Sequence, residues 1–182
     1  VTGVDISAEA VGHARREAAR AGLDVRFAQA DMRSIPRPAS FDAAVCLGNS
    51  FGYLDTAGTR EFIAALAGAL RPGGGLVIDF NATAETVLPG YTGQPRTMRT
   101  GDITVETTTE YDVDESCLIS RYRFSRGGEV VDATALHRVY TSRQLGELLI
   151  DGGFTGIERY AGPDGAPYQL GSSRLMLVAR RT

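Results

Sequence analysis

The sequence predicts an α/β fold: a parallel, doubly wound sheet that carries an antiparallel insertion and closes on an antiparallel hairpin. Three observations carry this. Over the first 92 residues short apolar strands alternate with helix-like stretches. From about 96 to 140 the pattern becomes a period-two alternation rich in Thr, Val, Ile and Tyr, and then a helix and two strands return. Strand–helix alternation requires crossovers, which make neighbouring strands parallel, whereas closely spaced alternating strands joined by glycine turns run antiparallel.

Taken in order, residues 1–6 read as a buried strand, with Ser7 capping a helix that runs to Ala21 and stops at Gly22. Residues 25–29 form the next strand, 41–47 another and 76–80 a fourth. A helix over 56–70 joins the last two and gathers Phe62, Ile63, Leu66 and Leu70 on one face. Arg71-Pro72-Gly73-Gly74 is predicted to break that helix and turn into the strand. In the insertion, Gly127-Gly128 marks a hairpin turn before EVVDATALHRVYT. The returning helix covers 142–151 and ends at Gly152-Gly153, followed by strands over 154–160 and 174–181. With 182 residues the chain reads as one domain burying about 70% of its extended surface. Residues 1–95 and 141–182 form its core, and 96–140 the insertion.

Composition excludes several functions. No apolar run is long enough to span a bilayer, and VTGVDIS lacks the basic start and apolar centre of a secretory signal, so a cytoplasmic protein is expected. The chain has no initiator Met. All 19 basic residues are Arg, which removes Schiff-base chemistry and the lysine of a phosphate loop. A net charge of −3 argues against a nucleic-acid backbone as partner, and Arg121, Arg123 and Arg126 alternate as a solvated strand face would. Two cysteines (Cys46, Cys117) and two histidines (His13, His137) lack ligand spacing, so no metal is expected.

The polar residues of interest lie at the ends of strands, where open parallel sheets bind ligands. Asp5 ends the first strand, and a carboxylate there can hold both hydroxyls of a ribose or simply cap the helix. Asp31-Met32 follow the second strand, suited to an adenine edge or to stabilising a turn. The stretch FDAAVCLGNSFGY (41–53) delivers Gly48-Asn49-Ser50 to the same edge, as a reactive loop or as a Gly/Asn/Ser turn.

In combination these segments resemble class I S-adenosylmethionine-dependent methyltransferases. VTGVDIS is similar to their second strand with its ribose carboxylate, FAQADMRSIP to their adenine-side motif, and LRPGGGLVIDF to the motif after the fourth helix. FDAAVCLGNSFGYL is especially similar to glycine N-methyltransferases and less closely to amino-sugar N,N-dimethyltransferases. The resemblance implies a Rossmann-like methyltransferase sheet whose inserted antiparallel sheet roofs the substrate pocket. It implies S-adenosylmethionine as cofactor, held by Asp5, Ile6, Asp31, Met32, Leu47 and Gly48. Methyl transfer to a small-molecule amine is expected, with Asn49, Ser50 and His137 as catalytic candidates and Tyr53, Arg138 and Tyr140 toward the substrate. Tyr91 and Tyr122 are further lining candidates; a homodimer is compatible with the sequence.

Two departures stand out. Asn81 occupies the point near which the glycine enzymes carry a carboxylate-binding arginine, which counts against glycine as acceptor. No G-x-G-x-x-G occurs, and about 20 residues would have to precede Asp5 to hold one. The sheet is therefore expected to lack its first strand, leaving inward rows of backbone groups unpaired or forcing the flanking strands together. On that expectation the chain is a fragment, weak or inactive in cofactor binding, and a non-catalytic fragment is one alternative. A nicotinamide-binding domain shares the ribose carboxylate but not the terminal hairpin. A further rival is a serine hydrolase: Gly48-Asn49-Ser50-Phe51-Gly52 fits a nucleophile elbow, with Asp79 and His137 following in the hydrolase order.

Overall fold

The computed structural model describes residues 1–35 and 39–182. Pro36, the last residue of the adenine-side motif, and the two residues after it lie outside the described residues. The chain opens with β1 (Thr2–Asp5), α1 (Ala8–Arg20) and β2 (Arg26–Gln29), and β1 pairs with β2 in parallel. Ser7 caps α1 as the sequence suggests, its hydroxyl accepting the Ala10 N–H at 3.1 Å.

A second sheet is formed by β3 (Phe41–Cys46), β4 (Leu70–Phe80), β9 (Phe154–Tyr160) and β10 (Leu175–Arg181), in the order β3-β4-β10-β9. β3 and β4 run parallel, while β10 is antiparallel to both β4 and β9, which gives the expected terminal hairpin. α2 (Thr56–Ala69) starts at Asp55, whose carboxylate accepts the Gly58 N–H at 2.7 Å. α4 (Ser142–Asp151) starts from a capping box between Thr141 and Gln144. α2 and α4 pack on one side of this sheet, against alternate residues of β4 (Leu76, Ile78, Phe80) and of β10 (Leu175, Leu177, Ala179), all at most 2% exposed. A four-residue helix α3 (Ala84–Val87), not read from the sequence, follows β4.

One expectation is corrected. Arg71-Pro72-Gly73-Gly74 does not end one element and precede another; it bulges inside β4. Leu70 is already extended and pairs with Phe41, and pairing resumes at Ala43 with Gly75. Gly73 takes φ +78°, and a Cβ at Gly74 would lie 2.8 Å from the Arg71 carbonyl oxygen. Breaker residues that would stop a helix here supply the kink of a bulge.

The third sheet comprises β5 (Arg96–Thr100), β6 (Ile103–Asp112), β7 (Cys117–Arg126) and β8 (Glu129–Arg138), antiparallel and in sequence order. The turn between β7 and β8 is Gly127-Gly128, both at positive φ.

β1 and β3 do not pair. A groove of about 870 Å³ lies between them, walled by Val1–Val4 on one side and by 41–47 on the other. Of the two outcomes the sequence allows, unpaired facing edges are the one observed. Val45 and Leu47 remain 63% and 51% exposed beside the groove.

Gly52 sits where the loop after β3 meets the core, at φ +95°, and an added Cβ would fall 2.7 Å from the Phe80 ring. Gly52→Ala combines left-handed strain with overpacking and should cost about 2–4 kcal/mol. Gly101→Ala, at φ +62° with open space around it, should cost only about 1–2 kcal/mol. Urea midpoints of the two variants test this; equal shifts would show that the Phe80 contact does not constrain the loop.

Candidate functional site

β1 and β2 end side by side, so Asp5 and Asp31 lie at the carboxyl end of one parallel pair. Asp5 Oδ1 accepts the Ser7 N–H at 2.7 Å, and its exposed carboxylate keeps the second oxygen available. Gln29 ties the two strand ends together by donating to the Ile6 carbonyl at 3.2 Å, leaving the Ile6 side chain 72% exposed.

Asp31 is clamped by a residue the sequence reading missed. Arg33 Nε donates to Oδ1 at 3.0 Å, its Nη2 to Oδ2 at 2.7 Å, and its backbone N–H to Oδ1 at 2.8 Å. The same guanidinium reaches Glu61 on α2 at 3.2 Å. Hydrogen bonds from Arg33 pull the Asp31 pKa down from 3.8 to about 2. Met32 beside it packs against the core.

The loop after β3 turns through Gly48 (φ +68°) and Asn49 (φ +62°), a left-handed pair that suits glycine and that asparagine tolerates better than most residues. Phe51 anchors the loop: it is 1% exposed, with its ring 5.3 Å from Phe80 and 6.3 Å from Tyr140. Held this way, Asn49 spans two sheets. Its Oδ1 accepts the Asn81 backbone N–H at 3.1 Å, just past β4, and its Nδ2 lies 3.3 Å from His137 Nε2 on β8. The Arg138 N–H donates to the Gly52 carbonyl at 2.8 Å, a second tie between the loop and β8.

Between the strand ends and the third sheet lies a cavity of about 530 Å³. Asn49, Asn81 and His137 line it, and the third sheet contributes Arg96, Thr107, Thr109, Ser120 and Tyr122. The contributions alternate because one face of a strand shows every second residue. Register then aligns them in rows, Arg96–Thr107–Tyr122 and Thr109–Ser120. Tyr91 also lines the cavity, its hydroxyl donating to the Thr109 carbonyl at 3.2 Å and accepting the Tyr111 N–H at 3.0 Å. No carboxylate lines the cavity among the described residues. On the opposite face Arg121 and Arg123 pair with Glu110 and Asp132, and at the end of β7 Arg126 pairs with Asp102.

Not every candidate reaches the cavity. Tyr140 belongs to the core, 8% exposed, with its hydroxyl 3.2 Å from that of Thr59. The Arg138 guanidinium points to Glu115, at 2.8 Å. Tyr53 covers the His137 ring at a centroid distance of 4.1 Å and is 53% exposed. Leu47 and Ser50 line the groove between β1 and β3.

The hydrolase arrangement does not assemble. Ser50 Oγ donates to the Leu47 carbonyl at 3.0 Å, Asp79 pairs with Arg174, and His137 faces Asn49. The three groups have separate partners, so no proton path links them.

Because Asp31 owes its low pKa to Arg33, its carboxylate should stay ionised down to about pH 2, and its contribution to stability should fade only as pH falls from 3.8 toward that value. In Arg33→Ala the Asp31 carboxyl should titrate near 3.8, read by carbon-detected NMR. An unchanged titration would mean that some other group holds the charge.

Residues 1–74 match the family profile described as a methyltransferase domain. Over 164 residues the chain is 29% identical to a glycine/sarcosine N-methyltransferase of Halorhodospira halochloris, covering 88% of this chain and 59% of that protein. It is 37% identical over 79 residues to a demethylmenaquinone methyltransferase of Thermus thermophilus, covering 43% of this chain and 34% of that protein. Both relatives are thus considerably longer than the stretch the chain spans. Among solved structures it is similar to an S-adenosylmethionine-dependent methyltransferase from Clostridium acetobutylicum (TM-score 0.87, 17% identity, covering 99% of this chain and 74% of that one). It is also similar to an amino-pentose methyltransferase from Micromonospora echinaspora with S-adenosylmethionine bound (TM-score 0.72, 22% identity, covering 100% and 74%). Residues 1–74 thus match a methyltransferase domain, and the chain along its whole length shares the fold of solved S-adenosylmethionine-dependent methyltransferases.

Proposed function

We propose that this protein transfers the methyl group of S-adenosylmethionine to a neutral amine nitrogen on a small molecule. The observation that carries the reading is the cavity beneath the third sheet: Asn49 stands at its floor, at the tip of β3, and no carboxylate lines it among the described residues. The relative named as a glycine/sarcosine N-methyltransferase supports nitrogen as the acceptor atom.

The described residues fit the adenosyl end of the cofactor. Asp5 offers a free carboxylate oxygen to ribose hydroxyls, and Ile6 and Leu47 present exposed apolar surface to a purine. Asp31 would meet the exocyclic amine of the base only along directions that Arg33 leaves open, with the Met32 backbone beside it. When bound, S-adenosylmethionine supplies an electrophilic methyl on a sulfonium, open to in-line attack.

The chain's part in the reaction is alignment and the exclusion of water. Asn49, fixed at both ends of its amide, orients the acceptor at the mouth between the sheets. The hydroxyls of Thr107, Thr109, Ser120 and Tyr122 offer hydrogen bonds to polar groups of the acceptor, and Arg96 offers a positive charge. A cavity without a carboxylate does not stabilise an ammonium, so the amine enters with its lone pair free. A hydroxyl acceptor would call for a base, and the lining offers no carboxylate for that task.

The test uses the chain extended upstream of Val1 by about 40 residues. Titration calorimetry with adenosylhomocysteine should give a saturable heat, and Asp5→Ala should weaken binding about tenfold or more through loss of charge-assisted hydrogen bonds. Asn49→Ala should leave that binding intact and lower turnover about a hundredfold through misalignment. Ser50 should resist a fluorophosphonate probe. A folded form that gives no heat, or that is labelled at Ser50, would overturn the reading.

A further inference from the structure

The bonds around Asn49 fix something the cavity's shape alone does not: where the proton of His137 sits. An asparagine amide can be turned end for end, but here one end is decided. The Asn81 backbone N–H is a donor under all conditions, so the atom that meets it at 3.1 Å is Oδ1. The amide's NH2 must then be the group 3.3 Å from His137 Nε2. Two donors do not share a hydrogen bond, so Nε2 accepts.

We propose that Asn49 locks His137 as a neutral ring with its proton on Nδ1, making the histidine a hydrogen-bond donor to the cavity and not a base. Asn49 acts here as a positioning residue, working through the ring. His137 is 8% exposed and lines the cavity, and Asn49 is its side chain's hydrogen-bond partner among the described residues. No side-chain nitrogen among the described residues is both sealed from solvent and unpartnered, so Nδ1–H keeps access to open space. The ring is covered by Tyr53 at 4.1 Å, and across the sheet from it stands Leu118 on β7. Burial lowers the His137 pKa from 6.5, and no charged neighbour contributes to that shift, in keeping with a neutral ring.

The consequence concerns the acceptor, and rests on the methyl-transfer reading of the cavity. A ring of this tautomer recognises a lone pair, so the acceptor should place an oxygen (hydroxyl, carbonyl or carboxylate) against Nδ1–H. The tautomer itself stands or falls without that reading.

The experiment is nitrogen-15 NMR of the histidine side chains in the 182-residue chain, which has two histidines. Expected are the Nδ1–H pattern for His137 at neutral pH and a titration midpoint below the ordinary histidine value of 6.5. In Asn49→Asp the carboxylate faces the ring and should reverse the pattern: a proton appears on Nε2 and the His137 midpoint rises above its wild-type position. An Nε2–H pattern in the wild-type protein overturns the proposal outright. A correct wild-type pattern that Asn49→Asp leaves unchanged overturns the part assigned to Asn49. Retained amide dispersion in the variant's proton–nitrogen spectrum confirms that the comparison is between folded proteins.

Discussion

The side-chain amide of Asn49 is the joint on which the site is built. One end grips the backbone where β4 finishes, the other meets a ring on β8, and the residue itself occupies a left-handed conformation at φ +62°. Such a conformation persists only where its surroundings over-determine it. Here the determination comes from Phe51, two residues on, which is sunk among Phe62, Phe80 and Tyr140. An aromatic anchor in the core therefore aims an amide at the cavity. The third sheet takes its position from the same segment, through the Gly52 carbonyl and the Arg138 N–H.

Strand alternation then sorts the chemistry of that sheet into two faces. Inward residues of β6 and β7 bring hydroxyls, and outward ones bring charge: Arg121 and Arg123 each stand against a carboxylate across the ladder. Exposed pairs of this kind contribute little to stability, because solvent screens them. Their importance lies in where they are absent. A one-residue slip of register would carry the charges into the cavity and expose the hydroxyls.

The sequence made much of this legible, because the relevant signals are local. Strand ends marked by Asp5, Asp31 and Gly48-Asn49 fall where expected, as do the Ser7 cap, the Gly127-Gly128 turn and the terminal hairpin. What was hidden depends on contacts between distant segments. The Arg-Pro-Gly-Gly run reads locally as a stop, yet pairing with β3 on either side of it keeps the strand going. Tyr122 faces the cavity through its place on β7 and Tyr91 from the loop before β5, while Tyr140, just past β8, joins the core, a distinction that residue type does not carry. The Arg33 clamp on Asp31 spans only two positions, but no periodicity announces it. Asn49 and His137 are 88 residues apart, and only the assembled sheets bring them together.

Two strand edges, those of β1 and β3, face each other across an apolar-walled slot, and neither has a strand partner there among the described residues. Edges of this sort are templates for an extended segment, and one strand laid into the slot would complete both ladders.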